Sequence, residues 1–425
     1  MKQLNTKIGK YVIGYLSITY IIYLLLPLIK LDHDVERINE TYSLIFLLFV
    51  SIFFYMGCKS VPIKAHKVSL PQYSMQIENY VLVLLLVIVT CIVDMYLKDL
   101  VDMGLAHISL SLGDSYSDML FNTANTNSFW GQLFVVFSPV RVFLFIYCIY
   151  YYNNISKVAR VLFFMLFISQ VVYSISKGQT VGIGNLVMLI FVPLFVKYRQ
   201  MGKLSILKKY ALIGLILFVV FFIVNQYMRA DALGYELSDF YQKESLLSIV
   251  FGPQLGNGIA MLLSYVSHGY KGMNYCLQLP FEWTYGYGGS RALDYYLHSL
   301  FGFPSMFDVA YPMRVFKEFG YDCQMNWPTA FSWLASDFTF PGVTILMYFI
   351  AKLYCRVLKE SLYYSNVISI TLLYQLSIMI LFLPMNNQAF QANDSFFITV
   401  GLFFFWLLSR KKYNNLVSSQ NLSID

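Results

Sequence analysis

Residues 210–227, YALIGLILFVVFFIVNQY, form an apolar run without a charged side chain, and a largely hydrophilic stretch from Met228 to Asp337 follows directly. A helix of about 20 predominantly apolar residues spans a bilayer. The run therefore predicts a transmembrane helix, followed by a loop of about 110 residues. Together with nine similar runs it predicts ten spans, at approximately 11–29, 41–58, 78–96, 130–151, 158–176, 181–197, 210–227, 339–357, 366–384 and 395–409.

The composition is that of a membrane protein. Hydrophobic residues make up 58% of the chain and charged residues only 12%, with a mean hydropathy of +0.59. Soluble domains have roughly 25% charged residues. The net charge of +7 comes from short clusters of Lys and Arg between the apolar runs. Such clusters indicate membrane topology and give no reason to expect nucleic acid as a partner.

The cationic clusters assign the loops to two sides of the membrane. If ten helices alternate, they fall on one side, which the positive-inside rule makes cytoplasmic. They are Lys59, Lys64 and Lys67; Lys157 and Arg160; Arg199, Lys203, Lys208 and Lys209; Arg356 and Lys359; and Arg410, Lys411 and Lys412. Both termini are then cytoplasmic, and the long loop lies outside the cytoplasm.

These patterns predict an all-α, polytopic bundle of about ten transmembrane helices with a large external loop of short helices. The predicted parts are an N-terminal bundle of seven helices at 1–227, the loop at 228–337, and the C-terminal helices with a cytoplasmic tail at 338–425. Within the loop, the apolar stretch 246–266 is interrupted by glycine and proline. We expect it to form an amphipathic or re-entrant element.

Two cations near the membrane are candidate ligands for a lipid diphosphate. Arg141 lies near the middle of the fourth predicted span, where a charge is costly and therefore indicates function. Its planar fork matches phosphate oxygens. The alternative is a structural ion pair with an acid such as Asp94. Lys177 lies in a tight turn at the outer boundary, where the alternative is a lysine that extends its amine to water.

The long loop is rich in aromatic residues, glycines and charges. Aromatic side chains such as Tyr270, Trp283 and Trp327 present apolar ring faces together with a polar O–H or N–H group. Sugars can bind to both, because they have apolar C–H faces and polar hydroxyl groups. The alternative is an external cap whose tryptophans anchor at the interface. His268 is a candidate general base, with Glu282 and Asp294 as competitors. A purely structural histidine is equally compatible with the sequence, and His298 is the other histidine of the loop.

Cys276 and Cys323 share the external loop, so either a disulfide or two free thiols are compatible with the sequence. Asp32, His33 and Asp34 form a weak candidate for a divalent metal site. The chain has no phosphate-binding loop of the nucleotide-binding type, no His/Cys cluster with zinc spacing and no nucleophile elbow. We therefore expect no cofactor.

The plan resembles bacterial O-antigen polymerases of the Wzy type, which are many-helix inner-membrane proteins with a dominant periplasmic loop late in the chain. The local resemblance rests on HGY at 268–270, LPFEWTYG at 279–286, and the segment from Trp327 to Gly342 with ASDFTFPG at 335–342. The resemblance in overall architecture extends over nearly the whole chain, and the local sequence similarity extends over about a quarter of it.

The resemblance implies a metal-independent glycosyltransferase of the GT-C type, and hence a periplasmic long loop. Such an enzyme moves a growing glycan from undecaprenyl diphosphate to another lipid-linked repeat unit. Arginines of periplasmic loops are prominent in the family, which makes Arg229, Arg291 and Arg314 candidates, with Arg291 expected in catalysis. The implied partners are lipid-linked donor and acceptor glycans and membrane lipid, with a chain-length regulator and a flippase as further candidates.

Two other functions fit the sequence. An O-antigen ligase has a similar plan and the same donor but a different acceptor, the lipid A core. A flippase or transporter is the alternative without catalysis, although such proteins usually show repeat symmetry, and we detect no internal repeat.

Overall fold

The computed structural model describes residues 2–29, 40–61, 77–106, 128–178, 180–236, 241, 245–323 and 326–421. Every regular element in these ranges is helical, which confirms the all-α prediction. The helices are α1 (Lys2–Leu25), α2 (Glu40–Ser60), α3 (Asn79–Asp102), α4 (Phe129–Val136), α5 (Ser138–Tyr150), α6 (Lys157–Ser176), α7 (Thr180–Gln200), α8 (Leu204–Ala232), α9 (Leu246–Phe251), α10 (Pro253–Ser267), α11 (Gly269–Cys276), α12 (Arg291–Phe301), α13 (Tyr311–Phe319), α14 (Ala330–Tyr364), α15 (Val367–Leu381) and α16 (Asn393–Asn421).

All ten predicted spans overlap helices, but the count of ten is not confirmed. Within the described residues, seven helices are long and apolar enough to cross a membrane: α1, α2, α3, α6, α7, α8 and α14. The bent pair α4–α5 raises the number to eight if it is one span. At 1.5 Å per residue, α15 is only about 22 Å long, which is short of a bilayer core of about 30 Å. These apolar helices indicate a multi-pass membrane protein.

Two apolar cores hold the bundle together. The first joins α3 to α7 with α15 and α16, through side chains such as Leu144 and Leu373. The second joins α1, α2 and α14 with the loop helices α11 and α13, through side chains such as Phe54 and Phe331. The long loop is therefore partly built into the membrane bundle, because two of its helices share a core with three membrane helices.

The C-terminal boundary of the long loop differs from the prediction. Helix α14 already begins at Ala330, so the last eight predicted loop residues are helical. The helix is broken at Thr339, which has φ 63° and ψ 160°, and Pro341 follows. The predicted start of the eighth span at residue 339 thus coincides with a kink inside α14. The chain becomes predominantly apolar at this kink, whereas α14 itself begins nine residues earlier, at Ala330.

Candidate functional site

A cavity of about 1500 Å³ lies where the long loop meets the membrane helices. Its walls include residues of α3, α5, α6, α7, α8 and α16, together with residues of the long loop, among them residues of α10. Five Lys and Arg residues line it, against a single acid among the described residues. The cations are Arg141, Lys177, Arg229, Lys271 and Arg291, and the acid is Asp394. The excess of positive charge favours an anionic ligand.

Arg141 lies in the first turn of α5, directly after a 53° bend between α4 and α5. Its side chain is only 8% exposed, and its guanidinium carbon lies 3.7 Å from the centre of the Phe134 ring. The ion-pair partner is Asp394, with Nη2 and Oδ2 3.8 Å apart. Arg141 thus has an ion-pair partner, as in the alternative that the sequence left open, but the acid is Asp394 and not Asp94. Asp94 lies exposed on α3, whereas helix packing brings the start of α16 to Arg141.

The Arg141–Asp394 contact leaves donors of the guanidinium for a ligand. Charge-assisted hydrogen bonds have lengths of roughly 2.7–2.9 Å. The 3.8 Å between Nη2 of Arg141 and Oδ2 of Asp394 is longer, so the two groups form an ion pair without a hydrogen bond. A buried charge needs a counter-ion, which Asp394 supplies at a distance. The arrangement favours an anion that approaches the guanidinium from the cavity.

Asp394 is a charged cavity residue that sequence reasoning missed, and Lys271 is another. Asp394 lies in the first turn of α16. Its backbone carbonyl accepts a hydrogen bond from the Ser138 hydroxyl, and its side chain accepts one from the backbone N–H of Ser395. The signal available in the sequence was a lone acid at the end of the amide-rich segment 386–393. Its pairing with Arg141 spans more than 250 positions in the chain, so no local pattern predicts it.

Lys177 directly follows α6 and lies beside the aromatic wall that also holds Arg141. Its Nζ lies 3.4 Å from the Tyr173 hydroxyl and 5.4 Å from the centre of that ring. The rings of Tyr96, Phe134 and Tyr173 contact one another, with centroids 4.8–5.9 Å apart. The two cations therefore share one three-ring wall, as cation–π contacts allow.

Arg229 lies near the end of α8 and is buried. Its guanidinium donates a hydrogen bond to the carbonyl of Gly178, which follows Lys177 directly. In the same helix, Asn225 donates to the Thr180 hydroxyl. These contacts hold the end of α8 against the turn between α6 and α7, so the predicted residues Arg229 and Lys177 are brought together.

His268 lies between α10 and α11 and lines the cavity. Its Nδ1 is 2.9 Å from the carbonyl oxygen of Ser264. A carbonyl oxygen only accepts, so Nδ1 carries the hydrogen of this bond. In the neutral imidazole, Nε2 then holds the lone pair. This tautomer is the one in which Nε2 can take up a proton.

Arg291 begins α12, and its guanidinium carbon lies 5.7 Å from the centre of the Phe307 ring. That ring stacks on Trp333, with centroids 5.6 Å apart. The preceding turn is fixed at Gly289, whose N–H donates to Asp337 and whose carbonyl accepts from Gln391. A Cβ at this glycine would lie 2.4 Å from the Trp333 carbonyl. The close packing explains the glycine and positions Arg291.

Four of the ten predicted site residues lie apart from the cavity. Tyr270 is fully buried in the second core, where its ring packs edge-on against Tyr20 and its hydroxyl lies 3.0 Å from that of Thr19. Burial also raises the pKa of the Tyr270 hydroxyl. This side chain is inaccessible to a substrate, because a core position satisfies its ring and its hydroxyl internally.

Glu282, Trp283 and Arg314 form a second group outside the cavity. Glu282 and Arg314 form an ion pair, with Oε1 and Nη2 3.0 Å apart, and so neutralise each other. Trp283 is 57% exposed and packs beside Tyr285, with centroids 5.0 Å apart. The structure therefore separates the expected base Glu282 from His268, which does line the cavity together with Trp327.

The remaining titratable candidates of the loop make structural contacts. Asp294 accepts hydrogen bonds from the Ser305 hydroxyl and from the N–H groups of Met306 and Phe307. His298 Nδ1 bonds the Phe303 carbonyl at 2.8 Å. Neither Asp294 nor His298 lines the cavity.

Cys276 and Cys323 are free thiols, both buried in the second core. Asp32, His33 and Asp34 lie outside the described residues. Among the described residues, no group of three or more His, Cys, Asp or Glu side chains is arranged to hold a metal ion.

Comparisons with known proteins do not assign the chain to a family. No family model, no curated protein and no solved structure matches it.

Proposed function

We propose that this protein is a glycosyltransferase that polymerises oligosaccharide repeat units carried on undecaprenyl diphosphate, at the periplasmic face of a bacterial inner membrane. The observation that carries the proposal is the cavity with five cations and one acid, which reaches from membrane helices to the long loop. A lipid diphosphate carries its negative charge at the membrane surface and its hydrocarbon chain in the bilayer, which matches a cationic cavity between the long loop and the membrane helices. A GT-C-like arrangement and the ten-span topology belong to the same proposal.

The cations supply the electrostatic part of the mechanism. When the anomeric C–O bond breaks, negative charge develops on the departing diphosphate. Arg141, Lys177 and Arg229 are held in place before the reaction by aromatic and backbone contacts. Fixed charges in a site of low dielectric stabilise such a developing charge without reorganisation. The leaving group therefore needs no nucleotide and no ATP.

His268 supplies the proton acceptor. Its Nε2 takes the proton of an acceptor hydroxyl while that oxygen attacks the anomeric carbon of the donor glycan. The new glycosidic bond forms as the bond to the diphosphate oxygen breaks, and the configuration inverts. The acceptor is the non-reducing end of a second lipid-linked repeat unit.

Aromatic side chains suit the sugars. Trp327 lines the cavity and is partly exposed, while Phe307 and Trp333 form a stacked pair beside Arg291. Such rings offer apolar faces to the C–H groups of a sugar, and the indole N–H offers a donor. The combination of cations and rings fits a glycan joined to a diphosphate.

The test is a silver-stained lipopolysaccharide gel from a strain that lacks the gene, with a complemented strain as the control. We expect core bearing a single repeat unit and no ladder. Loss of every repeat unit from the core, with polymer left on the lipid carrier, would identify a ligase instead. Single repeat units left on the carrier would identify a flippase. An unchanged ladder would contradict a role in O-antigen synthesis.

A further inference from the structure

Residues 245–267 turn back on themselves as two consecutive helices. Helix α9 ends at Phe251 and α10 begins at Pro253, and the two pack against each other. Gly252 between them has φ 80° and ψ 159°, a conformation that only glycine adopts readily. The segment is therefore a hairpin of two short helices, which we call the α9–α10 hairpin.

The polarity of the α9–α10 hairpin is opposite to that of a hairpin on a water-soluble protein. Polar side chains face inward, where the Ser248 hydroxyl bonds the Asn257 side chain. Large apolar side chains face outward. Leu246 is 73% exposed, Ile249 71% and Val250 62%, and Phe251 is half exposed. Water would make this arrangement unfavourable, whereas hydrocarbon favours it.

The hairpin lies along a membrane helix, below its end. A Cβ at Gly258 would lie 2.5 Å from Cγ2 of Ile223 in α8. Ile223 is nine residues before the last residue of that helix, which places the contact roughly 14 Å below the helix end at 1.5 Å per residue. Val220 and Val224 are exposed at the same level of α8. The apolar surface of the hairpin thus continues the apolar surface of a membrane-spanning helix.

We infer that the α9–α10 hairpin is a re-entrant membrane element whose outward face, formed by Leu246, Ile249, Val250, Phe251 and Leu255, contacts lipid acyl chains. Its inner helix α10 lines the cavity through Met261 and Ser264 and ends at Ser267, directly before His268. The hairpin is therefore the wall between hydrocarbon and the cavity. Only the further consequence, that lipid contact sets the depth of a catalytic His268, rests on the proposed function.

The test measures the depth of the hairpin directly. The full-length protein is prepared with Cys91→Ala, because that is the exposed thiol among the described cysteines and the other five are buried. Ile249→Cys and Val250→Cys are then spin-labelled in lipid nanodiscs. Relaxation by oxygen, which concentrates in hydrocarbon, is compared with relaxation by a water-soluble nickel chelate. Val220→Cys on α8 is the lipid-facing control, and Glu318→Cys on the exposed face of α13 is the water-facing control.

We expect both hairpin labels to match Val220→Cys, with strong relaxation by oxygen and weak relaxation by the chelate. Labels that match Glu318→Cys would place the hairpin in water and overturn the inference. Labels that neither reagent reaches would mean that another protein chain covers this face, which also overturns it. The readout requires no enzymatic activity, so it stays informative even if the proposed function fails.

Discussion

At the scale of single residues, the reliable signal in the sequence was charge where charge is costly. Arg141 stands out from an apolar run, and the structure places it on a cavity wall. The partner of Arg141 could not be read in the same way. The residues Asp94 and Asp394 are both acids near predicted membrane boundaries, and only the packing of α16 against α5 brings one of them to the arginine.

Replacement of Arg141 or Arg291 by Ala should abolish long glycans while protein levels stay normal. Removing one preorganised donor from a developing charge costs about 100- to 1000-fold in rate. Arg141→Lys should restore little activity, because an ammonium lacks the planar fork. The measurement is chain length on a gel, together with the amount of protein in the membrane. Lys317→Ala, which removes an exposed loop cation outside the cavity, is the matched control. Normal ladders in both arginine variants would count strongly against the proposed site.

Replacement of His268 by Gln should lower the rate of polymerisation by about 100- to 10,000-fold, the range for a lost general base. His298→Gln is the matched control, since its ring also bonds a backbone carbonyl but lies outside the cavity. The rate is measured with purified protein and lipid-linked repeat units, and a melting curve of each variant is recorded. Equal rates for the two variants, or a loss explained by a lower melting temperature, would exclude the catalytic role.

The thiols of Cys276 and Cys323 should resist maleimide in the folded protein and react after unfolding without a reductant. The thiolate is the reactive form, and burial raises the pKa of Cys276 from 9.0 to about 12 and also raises that of Cys323. The pKa of the Cys276 thiol is higher in the folded protein than in the unfolded one, so the protonated thiol favours the folded state. This contribution to the free energy of unfolding is complete below pH 9 and is lost between pH 9 and about 12. Mass spectrometry counts the labels. Two thiols protected even after unfolding would instead demonstrate a disulfide.

At the scale of elements, close helix contacts depend on small residues. Helices α2 and α14 cross with extensive contact, and Gly57 lies at the crossing. A Cβ at Gly57 would clash with the carbonyl oxygen of Tyr348. Backbone cannot yield as the end of a flexible side chain can, so this position requires glycine. Small residues at membrane helix interfaces generally allow such approach.

Gly57→Ala should therefore lower the melting temperature and the yield of folded protein in detergent. Gly14→Ala on α1 is the control, because nothing lies within 4 Å of its added Cβ. The control should be neutral or slightly stabilising, since alanine favours helix more than glycine does. Fluorescence-detected size exclusion after heating measures both variants. Equal melting temperatures would show that the α2–α14 crossing is looser than described.

At the scale of the whole molecule, the long loop and the bundle form one structure. Helices α11 and α13 of the loop share a core with α1, α2 and α14, and the cavity draws its walls from both parts. At the far end of α14, Glu360 accepts a hydrogen bond from Trp406 and pairs with Arg410 of α16. Helices distant in sequence are thereby joined at both ends of the bundle.

The proposed topology predicts that the loop between α7 and α8 and the long loop lie on opposite sides of the membrane. In a Cys91→Ala background, Glu318→Cys should react with a membrane-impermeant maleimide in intact spheroplasts. Lys203→Cys should react only after the membrane is permeabilised. The asymmetry of Lys and Arg between the loops is the physical reason. Labelling of both sites in intact spheroplasts, or the reverse pattern, would contradict the assignment of sides.

The sequence by itself determined the membrane class, the helical architecture and the approximate positions of seven or eight of the ten predicted spans. It could do so because hydropathy is a local property that each run of about 20 residues carries alone. It also indicated six of the cavity residues, through charge or aromatic character. Only the tertiary structure decided that Tyr270 is core, that Glu282 and Arg314 neutralise each other, and that Asp394 faces Arg141. Those outcomes depend on how each helix is rotated and which distant helix it packs against, which is a property of the assembled bundle.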